Sequence, residues 1–260
     1  MAIIAIGAGH GLNTPGKRTP AGEREWSFNN KVVSATINYL GGYENANVVR
    51  LDDPTGNTDI PLTTRTNAAN NANADILVSY HHNANTGQWG TWTGTETYHY
   101  PGSSSGNTLA RAIHPSIVTA MGLRDRGIKT ANFHMLRESQ MPAILIEGGF
   151  MDSTIDIVKM RNDAVMENTG KALADSIASY FGLQRKDGGG GTGQGYVEIV
   201  TDSLWTYNTA DWNDRAVVVN RGEVFTVIRD RFPVDGGYMY QIKSGLYITA
   251  NPNYVRYYTK

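Results

Sequence analysis

Four places along the chain carry side chains able to hold a divalent metal. They are His10 within Gly7-Ala8-Gly9-His10-Gly11, the pair Glu23 and Glu25, the doublet His81-His82, and Glu147 just before Gly148-Gly149. Two imidazoles and one carboxylate leave the fourth position of a tetrahedral zinc ion open to water, and a further carboxylate can accept that water's proton. The chain has no cysteine, which excludes a thiolate nucleophile, a disulfide and a Cys-type zinc site. The four places are far apart in sequence, and no local motif such as H-E-x-x-H joins them. Only a fold can bring them together.

A phosphate-binding reading of the first place fails on its own residues. Gly11-x-x-x-x-Gly16-Lys17 matches most of G-x-x-x-x-G-K-[ST], but Arg18 stands where the magnesium-binding hydroxyl belongs. Pro15 lacks an amide such a cradle uses, and Pro20 with Gly22 opposes a helix directly after Lys17.

The elements that must position these side chains are legible as an alternation. Ala2-Ile3-Ile4-Ala5-Ile6 is an apolar run that reads as a strand buried on both faces, delivering His10 at its carboxyl end. Val32, Val33, Ile37 and Leu40 recur at helical spacing, stopped by Gly41-Gly42, and residues 47–51 read as the next strand. Residues 62–73 predict a helix, and residues 75–80 a strand with His81-His82-Asn83 at its end. Residues 94–100 alternate like a strand, while Leu109, Ile113 and Ile117 stripe a helix that Pro115 should kink or break. Residues 133–137 predict a short strand, and Ala143-Ile144-Leu145-Ile146 a buried one ending at Glu147. Val165, Leu173, Ile177 and Phe181 mark a last helix, closed by Gly182. The expected fold class is α/β, an open, mostly parallel sheet with helices on both faces. In such sheets sites form at the carboxyl ends of the strands, where His10, His81-His82 and Glu147 all fall.

Asp187-Gly188-Gly189-Gly190-Gly191-Thr192-Gly193-Gln194-Gly195 cannot bury a core and reads as a linker. Beyond it come short β-rich runs at residues 197–200, 204–207, 216–219, 224–228, 238–242 and 246–249, with turn signals at Asn220-Arg221-Gly222, Asp235-Gly236-Gly237 and Ser244-Gly245. A small all-β barrel is expected there. Residues 196–260 hold 12 of the 25 aromatic residues, more than a small barrel needs inside, so a surface groove for glycan or peptide follows.

The formal net charge of −1 over 260 residues gives no global attraction to nucleic acid or anionic membrane. No apolar run approaches the roughly 18 residues of a membrane span, and the first residues lack the basic and small-residue features of a signal peptide. The expectation is synthesis in the cytoplasm and no membrane segment.

Residues 2–182 resemble the zinc-dependent N-acetylmuramoyl-L-alanine amidases of the amidase-3 type, found in bacterial autolysins and phage endolysins. The resemblance is carried by Gly9-His10-Gly11, Glu25-x-x-x-Asn29, Leu62-Thr63-x-Arg65-x-x-x-Ala69-Asn70 and Ser79-Tyr80-His81-His82-Asn83-Ala84. Gly94-Thr95-Glu96-Thr97-Tyr98, Arg126-Gly127-Ile128-Lys129 and Pro142-Ala143-Ile144-Leu145-Ile146-Glu147-Gly148-Gly149-Phe150 continue it in order. It implies Zn²⁺ held by His10, Glu25 and His81, with Glu147 as catalytic carboxylate. His82 stands where the family usually has a small residue and is the rival ligand, although adjacent strand residues point to opposite faces. Glu23 is expected to be solvated, as is the charged face over residues 161–175. His99, His114 and His134 are expected to be packing or surface residues, and Glu96 and Arg137 either substrate contacts or ion-pair partners.

Residues 196–260 resemble bacterial SH3-type wall-binding modules, notably residues 217–227 and Ser244-Gly245-Leu246-Tyr247-Ile248-Thr249-Ala250. The implied plan is a catalytic domain over 1–183, a linker over 184–195 and an SH3-like domain over 196–260. The implied partner is the peptidoglycan of a Gram-positive wall, with a separate membrane-permeabilising partner to reach the wall, while the charge balance predicts no nucleic-acid partner and no membrane segment is expected. Two rivals share these residues: a zinc endopeptidase cutting within the stem peptide, and a non-catalytic wall-binding protein with a structural zinc.

Overall fold

In the computed structural model, residues 1–186, 195–234 and 237–259 are described. The chain forms two compact units, residues 1–186 and 187–260. The Gly-rich stretch at 187–194 and two residues of the expected turn at 235–237 lie outside the described residues.

The first unit runs β1 (Ala2–Ala8), α1 (Glu25–Leu40), β2 (Ala46–Arg50), α2 (Leu62–Asn71), β3 (Ile76–Asn83), β4 (Thr95–His99), α3 (Ser104–Met121), β5 (Asp125–Thr130), α4 (His134–Arg137), β6 (Ala143–Phe150), α5 (Asp156–Met160) and α6 (Asp163–Phe181). Its six strands lie in the order β2-β1-β3-β6-β4-β5. β2, β1, β3 and β6 are mutually parallel, whereas β4 runs antiparallel to β6 and β5 follows β4.

Strand periodicity sorts the apolar residues onto two faces. Ile4, Ile6, Ile76, Val78, Ile144 and Ile146 pack against α1, α3 and α6 through Val32, Val33, Leu109, Ile113, Met166 and Leu173. Ala5, Leu77, Ala143 and Leu145 face the other way, onto Ala69 of α2 and Met135 and Leu136 of α4. Helices thus cover both faces. On that second face the row of positions continues into Ser79, His81 and Glu147 at the carboxyl ends of β3 and β6.

Several elements differ from the sequence reading. Residues 133–137 are a helical turn rather than a strand. Met135 and Leu136 are adjacent and both buried against the sheet, which a strand would not permit because neighbours would point apart. α3 continues through Pro115. The lost amide bond and ring clash cost about 3 kcal/mol, and burial of Leu109 and Ile113 before the proline, with Ile117 and Met121 after it, holds both halves on the same core. β5 and α5 have no periodic signature, because Asp125-Arg126-Gly127-Ile128-Lys129-Thr130 and Asp156-Ile157-Val158-Lys159-Met160 are too short and mixed to show a period. Residues 184–186, expected in the linker, belong to the first unit: the Gln184 carbonyl accepts the Glu44 amide and the Lys186 amide donates to Gly42.

The second unit has β7 (Gly195–Ile199), β8 (Ser203–Tyr207), β9 (Arg215–Asn220), β10 (Val224–Val234), β11 (Gly237–Ile242), β12 (Tyr247–Thr249) and β13 (Val255–Thr259), in the order β13-β7-β10-β11-β12-β8-β9. All its pairings are antiparallel. β10 is longer than the expected run, pairing β7 through Val224, Phe225 and Thr226 and β11 from Val227 onward across two register shifts. Val197, Ile199, Val219, Val227, Ile242, Ile248 and Val255 form its core.

Candidate metal centre

β1 delivers His10 one residue beyond Gly9, and the chain turns there with His10 at φ 66°, a left-handed conformation uncommon for a side-chain-bearing residue. Arg65, buried on α2, fixes that turn. Its Nη1 donates to the Ala8 carbonyl at 2.6 Å and its Nη2 to the His10 carbonyl at 3.0 Å. Gly9 is required by close approach, since a Cβ there would overlap the His81 ring.

Glu25 opens α1, with its amide on the Lys17 carbonyl at 3.1 Å, and is 1 % exposed. Its Oε2 lies 3.4 Å from His10 Nε2 and its Oε1 3.2 Å from His81 Nδ1. The two imidazoles meet edge-on with centroids 5.0 Å apart. One ligand atom from each of His10, Glu25 and His81 falls within 4.8 Å of the others.

Asn29, one helical turn after Glu25, ties the cluster together. Its Nδ2 donates to Glu25 Oε1 at 3.3 Å and to the Gly9 carbonyl at 3.2 Å, and its Oδ1 meets His82 Nδ1 at 2.8 Å. His82 is therefore directed to the opposite face of β3 from His81, 2 % exposed, with its Nε2 lacking a partner. Ser79 Oγ, on the same face as His81, contacts His81 Nε2 at 3.1 Å.

Glu147 is the direct cross-strand neighbour of His81 in the β3–β6 register and of Glu96 in the β6–β4 register. The residue is half-buried, and its Oε2 is sequestered without a hydrogen-bond partner. Burial raises its carboxyl well above the usual range, and the negative charges of Glu25 and Glu96 add to the rise. Glu96 itself is saturated: Tyr98 Oη, Asn83 Nδ2, Arg126 Nε and Lys129 Nζ all donate to it. It is a buried ion-pair hub.

The other candidates fall away from the cluster. Glu23 is bound by Arg161 through both carboxylate oxygens and by Thr19 Oγ1, so neither it nor Arg161 is simply solvated as expected. His114 bridges Thr97 and Asp125, His99 contacts the Tyr100 carbonyl, His134 meets Thr66, and Arg137 pairs with Glu138. Asn29 and Arg65 carry tasks that their residue types do not announce. Glu25-x-x-x-Asn29 was the available signal for Asn29, because i and i+4 share one helix face.

The donor set fits a divalent cation. Burial opposes ionisation of Glu25, but the hydrogen bond and charge of His81 and the charge of His10 outweigh it and hold the carboxyl at about 2. His10 is lowered to about 4, burial outweighing the pull of Glu25, and is neutral near pH 7. A buried carboxylate is thus in contact with imidazoles and an amide rather than with a lysine or arginine side chain. A metal ion would supply the missing positive charge, and imidazole nitrogen with carboxylate oxygen suits zinc.

An imidazole–carboxylate cluster at the carboxyl edge of an open α/β sheet, with a second carboxylate beside it, is the layout that metal-assisted hydrolysis requires. The chain belongs to the N-acetylmuramoyl-L-alanine amidase family of the amidase-3 type, which matches residues 4–179. It is 34% identical to the endolysin of Bacillus phage SPP1 over 97% of each chain. It is 39% identical to the N-acetylmuramoyl-L-alanine amidase CwlM of Bacillus licheniformis over 71% of each. Its fold superposes on the N-acetylmuramoyl-L-alanine amidase of Clostridium difficile 630 with a TM-score of 0.65 and 33% identity, covering 70% of this chain and 97% of that one.

Proposed function

We propose that this protein is a zinc-dependent peptidoglycan amidase that cleaves the bond between the lactyl group of N-acetylmuramic acid and L-alanine. The observation that carries the reading is the meeting of His10, Glu25 and His81 from three elements, with Glu147 in register beside His81. Membership of the amidase family and likeness along both units to a phage endolysin support it.

His10, Glu25 and His81 would hold the ion, with Asn29 orienting Glu25 and Ser79 orienting His81. Zinc held there supplies Lewis acidity, lowering the pKa of water from 15.7 toward roughly 7 and offsetting negative charge on the carbonyl oxygen. Glu147 takes the proton of the attacking water and returns it to the nitrogen of the leaving L-alanine. Burial and the charges of Glu25 and Glu96 raise that carboxyl, which favours its holding the proton between the two transfers. Positive charge in the neighbouring cluster would draw the pKa down from its metal-free position.

The second unit, residues 195–259, is proposed as an SH3-like wall-binding domain following a linker. Its exposed Trp205, Val217, Val218 and Tyr254 offer apolar surface for a wall polymer. The whole chain would then serve as the endolysin of a phage or prophage in a Gram-positive host, reaching the wall after a separate membrane-permeabilising partner acts. No described helix is long and apolar enough to cross a membrane.

Product analysis tests the reading. Amidase action frees the amine of L-alanine and leaves unsubstituted glycan. An endopeptidase would leave alanine on the sugar, and a binding protein would free nothing.

A further inference from the structure

A cleft of about 250 Å³ opens directly from the metal centre toward the N-terminus of α2. His10 and His81 form its inner end, and Ile60, Pro61, Leu62 and Met135 line its apolar wall. That volume lies just below the roughly 300–1,000 Å³ usual for ligand sites, enough for one ring and its substituents rather than a run of polymer.

The two charged residues in the lining are spent on the protein itself. Arg65 donates to the carbonyls of Ala8, His10 and Ile60 and pairs with Asp59 at 3.3 Å. The other Asp59 oxygen accepts the Thr14 hydroxyl at 2.6 Å. The cleft therefore presents an apolar wall, two imidazoles and the Ser79 hydroxyl, with no uncompensated charge. Outside it the situation differs. Half-buried Lys17, on the loop whose carbonyl accepts the Glu25 amide, lies outside the cleft and pairs with no carboxylate among the described residues.

The two halves of the amide differ in the same sense. The acyl half is an N-acetylated sugar whose lactyl carboxyl is consumed in the bond, so it is neutral. The amine half is a peptide and carries at least a C-terminal carboxylate. Resting on the amidase reading above, we infer that the cleft between α2 and α4 is the subsite for the neutral N-acetylmuramoyl half, and that the anionic peptide half lies outside it. Desolvating a carboxylate against Ile60, Leu62 and Met135 would be costly, whereas a sugar's apolar face and acetyl methyl lose little there.

Leu62→Glu tests this. Leu62 is 50 % exposed and opens α2, where a carboxylate favours the helix dipole, so the variant should fold. Steady-state cleavage of a soluble muropeptide is measured, with two inhibitors: the methylamide of N-acetylmuramic acid and the free L-alanyl stem peptide. The expected result is KM raised at least about tenfold with kcat within about twofold. Inhibition by the muramyl methylamide should weaken at least about tenfold while that by the peptide holds. Leu62→Ala should move the same constants in the same direction by less. Weakened peptide inhibition with unchanged muramyl inhibition, or no change in either, overturns the assignment. Release of the L-alanine amine by the unaltered protein reports separately on the amidase reading.

Discussion

Arg65 reaches from α2 to the carbonyl of His10 at 3.0 Å, and that bond holds a histidine whose backbone is in the left-handed region. The same guanidinium satisfies Ala8 and Ile60 in a fork that lysine cannot reproduce. Arg65→Lys should therefore lower stability by about 2 kcal/mol or more, because buried carbonyls lose their donors. It should also weaken zinc at least about tenfold by freeing the His10 turn. Denaturant unfolding and chelator competition read the two effects. Unchanged zinc affinity would mean that the turn holds itself.

Glu96 acts on Glu147 through charge. It is 2 % exposed and stands opposite Glu147 across the β4–β6 pair. Its negative charge contributes to raising the Glu147 carboxyl. Glu96→Gln removes that charge and leaves Arg126 and Lys129 uncompensated nearby, and both changes favour ionised Glu147. The acid limb of the pH–rate profile should move to lower pH. A limb that moves up or stays in place would show that Glu147 does not set it.

Buried histidines should make the metal-free protein acid-sensitive above the carboxylate range. Burial lowers His82 to about 3 and His10 to about 4, both below the unfolded value near 6.5. Below pH 6.5 the unfolded chain binds the extra protons, so stability present above that pH is lost as pH falls toward the folded values. The slope is up to about 1.4 kcal/mol per pH unit for each histidine. Urea unfolding between about pH 7.5 and 5.5 measures it, and His82→Gln should lower the slope by about one proton. Equal slopes would place the His82 proton elsewhere.

The two compact units carry separate apolar cores. Residues 1–186 alone should fold, bind zinc and cut soluble muropeptides at rates close to the full chain, while activity on whole walls falls far more. Equal losses on both substrates would remove the targeting role of residues 195–259.

What the sequence displayed was periodicity and strand ends. Ile4, Ile6, Val78 and Ile146 announced buried strands because both faces are covered, and the helix stripes of α1, α3 and α6 announced what covers one of them. His10, His81 and Glu147 were legible as strand-end residues, and Glu25 only through its family motif. The reversal of β4 was not readable, because residues 95–99 show a strand's period whichever way the strand runs. Residues 133–137 misled for a related reason: five residues cannot distinguish a strand from one helical turn. Arg65 and Asn29 were visible as motif letters, but their work on His10 and Glu25 depends on contacts across 55 residues in the first case and across three elements in the second.

On the proposed assignment His10, Glu25 and His81 hold zinc while Glu147 moves the proton, and Glu147→Gln separates the two tasks. The substitution keeps the side chain's volume beside His81 and removes the proton acceptor. Zinc content should stay near one per chain while muropeptide turnover falls by at least about 10²-fold. In the same assay His81→Ala should lose zinc affinity and His82→Ala should keep it. A Glu147→Gln protein that retains full turnover would contradict the assignment, as would zinc retained by His81→Ala and lost by His82→Ala.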